Sequence, residues 1–196
     1  INLDEMHAHI TGAGNSCATT VVTGNNAPTV TVTASSYTVP VSTPFVLTAQ
    51  GVDADPADAL TYCWEQMNNQ VATMPPLSTN TGGPAFRSLD PATSPSRYFP
   101  NLPAVIANTT PTWEVLPSVS RTMSFRCTVR DNHPGAGCSD ETDVFLTVNA
   151  SAGPFVVTNP NTSAITWTGG STATVSWNVA NTNLAPVNTT QVEILL

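Results

Sequence analysis

Three carboxylates, Asp53, Asp55 and Asp58, crowd the stretch "GVDADPADALTYCWEQ" that runs from Gly51 to Gln66. A fourth, Asp131, is followed by Asn132 at the end of another strand-like run, "TMSFRCTVRDN". Carboxylate and amide oxygens are the hard ligands that calcium takes, and loops at one end of a stack of strands tend to converge. Asp53, Asp55, Asp58, Asp131 and Asn132 are therefore the candidate metal ligands, with calcium as the ion. The loop lacks the twelve-residue calcium-hand pattern with its central glycine. Aspartates at this position also open a turn and cap its backbone amides before a buried strand. That simpler reading requires no cofactor.

Other groups invite chemistry less strongly. Glu65 and Glu114 each follow a tryptophan, but paired-carboxylate catalysis needs a cleft and a separation of roughly 5–10 Å, and the sequence gives evidence of neither. They are expected instead to accept bonds from Arg87, Arg97 or Arg121 as structural ion pairs. His7 and His9, near Asp4 and Glu5, read as ordinary polar residues of a surface segment. No G-x-S-x-G elbow is present, and a hydroxyl without a neighbouring base is inert. No catalytic residue is assigned. Trp64 and Trp177 lie in alternating apolar runs and are expected in a core. Trp167, before "TGGS", is expected outside, where it could stack on a glycan. Asn108, Asn149, Asn161 and Asn188 match the N-glycosylation acceptor.

The elements that must hold these residues are legible in the composition. The chain has 196 residues, 17 prolines and a net charge of −8, with arginine as its only strong cation. A negative chain repels phosphate backbones and anionic lipid surfaces, which excludes nucleic acid and membrane as partners. No apolar run approaches the ~20 residues of a membrane span. β-branched residues in short alternating runs, broken by Pro, Gly and Asn, predict an all-β protein. The start at Ile1 rather than Met suggests a mature product or a fragment.

Four cysteines without zinc-knuckle spacing point to an oxidising, extracellular setting. They allow three pairings. The strand period of two sends Leu60, Tyr62 and Trp64 to one face and Cys63 to the other. It puts Met123, Phe125, Cys127 and Val129 together on the apolar face of their strand, which argues against joining Cys63 to Cys127. The pairing expected is Cys127–Cys138, a local clamp, with Cys17–Cys63 tying down the N-terminal segment.

Along the chain, residues 1–26 read as a leader, with a turn or two of helix ended by "TGAG". Residues 27–149 read as one domain. It contains an edge strand that steps between sheets near Pro40 and Pro44, and a hairpin through "HPGAG". A long Pro-rich excursion over residues 68–112 should be pinned by its own aromatics and arginines, because a structureless connection of that length is unusual. Residues 150–196 hold four further strand-like runs, "FVVTNP", "AITW", "ATVSWNVA" and "QVEILL", read as the first half of a second sandwich.

The linked segments "VPVSTPFVLTAQGVDADPADALTYCWEQ", "GGPAFRSLDPATSPSRYFP", "WEVLPSVSRTMSFRCTVRDN" and "GPFVVTNPN…WTGGSTATVSWNVANTNLAPVN" carry a likeness. Together they resemble the region that follows the catalytic domain in secreted bacterial reprolysin-like zinc metallopeptidases. The resemblance spans about Asn15 to Leu196. It implies an Ig-like or cadherin-like β-sandwich with a Pro-rich insertion, then a partial fibronectin- or Ig-like sandwich. It also implies secretion and a non-catalytic accessory, adhesive or spacer role, with the preceding catalytic domain of the same polypeptide as partner. Extracellular protein or glycan surfaces are the further partners expected. The enzyme's own H-E-x-x-H-x-x-G-x-x-H motif does not occur around His7, His9 or His133. The alternative is a structural or assembly subunit whose unfinished sandwich self-assembles by exchanging strands between chains.

Overall fold

The computed structural model of the chain describes residues 3–17, 19, 21–162, 164–192 and 194, without the side chains of residues 3, 4 and 17. It is mostly strands, in several sheets, with little helix, an all-β fold. The leader forms α1 (Leu3–Thr11) and a 3-10 turn (Ala13–Cys17). α1 ends where Gly12 donates to Ala8 O and Thr11 Oγ1 folds back to His7 O. Its described side chains, His7 and His9 included, all face solvent.

From Pro28 the chain weaves between sheets. β1 (Thr29–Thr31) pairs antiparallel with β4 (Gln50–Val52), and β3 (Phe45–Thr48) pairs antiparallel with β6 (Ser96–Phe99). Between them β2 (Ser36–Pro40) joins a four-stranded sheet of order β2-β8-β7-β5, with β5 at Thr61–Gln66, β7 at Arg121–Arg130 and β8 at Ser139–Asn149. The passage past Pro40 and Pro44 thus changes sheets, as the prolines foretell. Less expected is that β2 runs parallel to β8.

β7 is the clearest case of sequence making structure. Its alternation buries Arg121, Met123, Phe125, Cys127 and Val129 and turns the residues between them outward. The core joins these to Val30, Leu47, Trp64, Phe86, Phe99, Val144, Leu146 and Val148, so residues of several sheets share one interior. At its centre the rings of Phe45, Phe86, Phe99 and Phe125 pack with centroids 4.8–6.1 Å apart. Two of the four come from the Pro-rich stretch. Burying each such ring contributes roughly 1.5–3 kcal/mol, enough to hold residues 68–112 against the sheets.

Polar pins finish that attachment. Gln66 Oε1 accepts from the amides of Ala85 and Phe86 at 2.7 and 3.0 Å. Glu114, 2% exposed, accepts from Arg97 Nη2 at 3.0 Å and from the backbone and side-chain nitrogens of Asn101. Asn101 in turn caps the short helix α2 (Leu102–Ile106), its Oδ1 accepting from Ala104 N. Asn caps satisfy amides that a helix start leaves bare.

The expected Cys127–Cys138 clamp does not form: Cys63, Cys127 and Cys138 carry free thiols. The Cys17 side chain, and with it the expected Cys17–Cys63 pairing, lies outside those described. The β7–β8 ladder sets Cys127 opposite Thr142 and continues to Arg130 opposite Ser139, so Cys138 sits at the hairpin mouth. Four residues of strand, about 13 Å, separate the two thiols' positions, beyond the ~7 Å Cα reach of a disulfide. Facing was read correctly for Cys63 and Cys127. The length of the ladder was not.

After Ala152 the chain leaves this interior through Gly153, at φ +97°, where a Cβ would meet Val41 O at 2.5 Å. Of the four strand-like runs beyond, "FVVTNP" and "ATVSWNVA" supply β9 (Val156–Asn159) and β10 (Ser176–Asn178), paired antiparallel with a register shift. "AITW" is not a strand, and "QVEILL" lies partly outside the described residues. Trp177, expected in a core, is 37% exposed.

Candidate functional site

Three chain segments meet at one end of the sheets. β4 stops at Val52, so Asp53 opens the turn that leads into β5; Asp58 closes it. β7 stops at Arg130, so Asp131 begins the β7–β8 loop. Asn25 and Asn26 arrive from the segment before β1. Oxygen atoms of Asp53, Asp58 and Asp131 come within 4.8 Å of one another.

Asp131 is fully buried. Its carboxylate accepts from the amides of Cys138 at 2.8 Å and His133 at 3.1 Å, and from Asn25 Nδ2 at 2.7 Å. Burial alone would push its pKa up; the donors of Asn25, His133 and Cys138 outweigh that and hold it below the usual carboxylate range. Asp58 accepts from His133 Nδ1 at 2.8 Å. That bond, opposed by burial and helped by the charges of Asp58, Asp55 and Asp131, pushes the His133 pKa above its ordinary value. Asp53 Oδ1 accepts from Asp55 N at 2.8 Å, an Asx turn.

Two buried acceptors in this cluster have no donor: Asp53 Oδ2 and Asn25 Oδ1. Three carboxylates at this spacing repel one another, and the donor set is all oxygen. A hard divalent cation of the calcium class fits such a set. Asp53, Asp58, Asp131 and the Asn25 carbonyl oxygen are the groups that would hold it.

The ligand set read from sequence is thus partly corrected. Asp53, Asp58 and Asp131 are brought together. Asp55 stands beside them, its Oδ2 accepting from Asn26 N at 2.8 Å. Asn132 turns away. Its Nδ2 donates to Ala59 O at 2.6 Å and Thr61 Oγ1 at 3.0 Å, fastening the start of β5, because its own φ of +54° bends the backbone out of the strand line. Asn25 and His133 were missed. The adjacent asparagines of "GNNAP" before the first strand, and a histidine two residues after Asp131, were the available signals.

Of the expected ion pairs, Arg97–Glu114 forms. Burial lowers the Arg97 pKa, and the bond to Glu114 opposes it. The others are corrected. Arg121 points into the 80–83 turn and donates to the carbonyls of Asn80 and Gly83. Arg87 Nε donates to Ser88 O, and Glu65 accepts from Ser88 Oγ at 2.6 Å. Arg121 sits on the buried face of β7, where the carbonyls of the 80–83 turn meet it. The Cys127 thiol, buried opposite Trp64 on the neighbouring strand, is pushed up to about 12 by desolvation, which disfavours its nucleophilic thiolate.

Among the described residues no helix is long and apolar enough to cross a membrane. No protein-family model matches the chain, and no curated protein matches it.

Proposed function

We propose that this chain is a non-catalytic accessory region of a secreted zinc metallopeptidase: an Ig-like or cadherin-like sandwich over residues 27–149, then the first part of a second sandwich. It holds the preceding catalytic domain of the same polypeptide at a set orientation and presents a surface for extracellular proteins or glycans. The observation that carries this reading is the docking of the leader onto the acidic end of the sheets. Asn25 binds Asp131 and Ala136 O, and Asn26 binds Asp55. A spacer needs such a fixed joint. A calcium ion held by Asp53, Asp58, Asp131 and Asn25 would lock the leader to both strand-end loops at once.

Thermal unfolding in EDTA and in calcium tests the joint. A ligand at 100 times its Kd stabilises by about 2.7 kcal/mol. The Tm should therefore rise with calcium, and the Asp53→Asn, Asp131→Asn double variant should lose the rise. An unchanged Tm in millimolar calcium would remove the site from the account.

A second reading, an assembly subunit that exchanges strands between copies, is favoured by one feature. Val156, Val157 and Trp177 of the β9–β10 pair stand 37–44% exposed, and exposed apolar side chains on an unpartnered strand pair are of the kind that partners cover. Light scattering across a hundredfold concentration range distinguishes a monomer from a strand-exchanged oligomer.

A further inference from the structure

Residues 150–154, Ala-Ser-Ala-Gly-Pro, have the small-residue composition of a flexible tether between two units. Their hydrogen bonds describe something else. Toward the body, Ala150 N donates to Ser120 Oγ at 2.9 Å and Ala152 O accepts from Val41 N at 3.1 Å. Just beyond, Phe155 N donates to Thr43 Oγ1 at 3.0 Å. Toward the C-terminal segment, Ser151 O accepts from Asn181 Nδ2 at 3.3 Å and Gly153 N donates to Ala180 O at 2.8 Å. The partners alternate along the stretch, so the body and the segment each grip it at more than one point, and Ala152 between them is 3% exposed. We propose that residues 150–155 form a rigid joint that fixes the β9–β10 segment at one orientation to the body.

Backbone conformation on both sides of the link supports a fixed geometry. Gly153 sits at φ +97°, and a Cβ there would meet Val41 O at 2.5 Å and Pro40 Cβ at 2.9 Å. Glycine alone meets both demands. Across the joint, Ala180 and Asn181 hold φ +43° and +64°, a left-handed pair that strains residues carrying a Cβ. Their turn is closed by Thr182 N donating to Val179 O at 2.8 Å and by Ala180 N donating to Asn178 Oδ1 at 3.0 Å. It offers the Ala180 carbonyl and the Asn181 amide, from adjacent residues, to Gly153 and Ser151. Strain of this kind persists where the surroundings over-determine the backbone. Thr182, next in the turn, is 3% exposed, whereas Trp177 of the same segment is 37% exposed. Burial in the segment thus gathers beside the joint.

A fixed angle deepens the spacer part of the proposed role, on which its use rests. Orientation is measured on this chain alone and in EDTA, so the joint can fail while the accessory role and its calcium site stand, and the reverse.

Residual dipolar couplings of the whole chain test the joint. Amides of β5, β7 and β8 and those of residues 156–159 and 176–182 should fit one alignment tensor with equal degrees of order. Gly153→Ala should lose that common tensor while the couplings within β5, β7 and β8 persist. Thr43→Val combined with Ser120→Ala removes two grips on the body at residues outside the apolar core. It should lower the order of the C-terminal group and leave the body folded. Gly170→Ala changes another glycine at positive φ, +80°, with nothing within 4 Å of an added Cβ, and should keep the single tensor. Separate tensors in the unaltered chain, or a C-terminal group of markedly lower order, would overturn the proposal. So would a common tensor that survives both Gly153→Ala and the double variant.

Discussion

Residues 121–130 and 172–181 look alike on paper: "RTMSFRCTVR" and "TATVSWNVAN" both alternate apolar with polar. The first becomes the spine of the core, with five side chains buried. The second yields a three-residue strand whose every residue is exposed. From residue 154 onward Thr182 is the one buried side chain among the described residues. The difference is company. β7 lies between β8 and β5 and faces the phenylalanines of β3, β6 and Phe86, whereas among the described residues β10 pairs with β9 alone. Alternation names the face a strand would bury, and a second layer decides whether it does.

Mutations can break that comparison. The largest effect is expected at Phe99, fully buried amid three other rings. Phe99→Ala should cost about 3–5 kcal/mol in denaturant unfolding, while Trp177→Ala should stay within about 0.5 kcal/mol, as exposed sites do. Comparable losses at the two positions would mean that the C-terminal segment packs as tightly as the body.

Glu114→Ala should come close to the Phe99 variant. It strips the buried Arg97 of its counter-charge, for which about 3–5 kcal/mol is typical, and frees the cap of α2. Glu65→Ala, whose partner is an exposed serine hydroxyl, should change stability little. Equal costs would show that the ion pair does not fasten the Pro-rich stretch.

Smaller effects come from pH, measured in EDTA. The folded-state pKa of Asp131 lies below its ordinary 3.8, so its contribution is complete above that value and is lost as pH falls through the depressed one. The pKa of His133 is raised above 6.5, so its contribution is complete below 6.5 and is lost as pH rises through the raised value. Asp131→Asn should flatten the acid limb and His133→Gln the neutral limb of the stability profile. Profiles unchanged by either variant would contradict the hydrogen bonds described.

The smallest expected change is none at all. Alkylation of the unfolded chain without reductant should label Cys63, Cys127 and Cys138, and added reductant should label no more of these three.

What could be read from the sequence follows the same line. Facing was legible for β5 and β7, because a two-residue period is local. So were the hairpin, the strand that changes sheets at its prolines, the short leader helix, and the burial of Phe86 and Phe99 that a long Pro-rich stretch requires. The clustering of Asp53, Asp58 and Asp131 was legible because each follows or precedes a strand at one end of the sheets. Pairings across the chain were not. The length of the β7–β8 ladder separates Cys127 from Cys138, the φ of Asn132 turns its amide away, and Arg121 finds carbonyls in place of a carboxylate. Each depends on a register or a single backbone angle that residue types do not encode. Asn25 was overlooked because a leader segment gives no sign that it folds back onto the body.

Hydrogen exchange along the whole chain, with EDTA and with calcium, addresses both halves of the account at once. Calcium should slow exchange in residues 23–27, 53–58 and 131–138 together, on a background of strong protection in β5, β7 and β8 and weak protection beyond residue 155. A calcium effect absent from those three segments, or protection beyond residue 155 equal to that of β7, would contradict it.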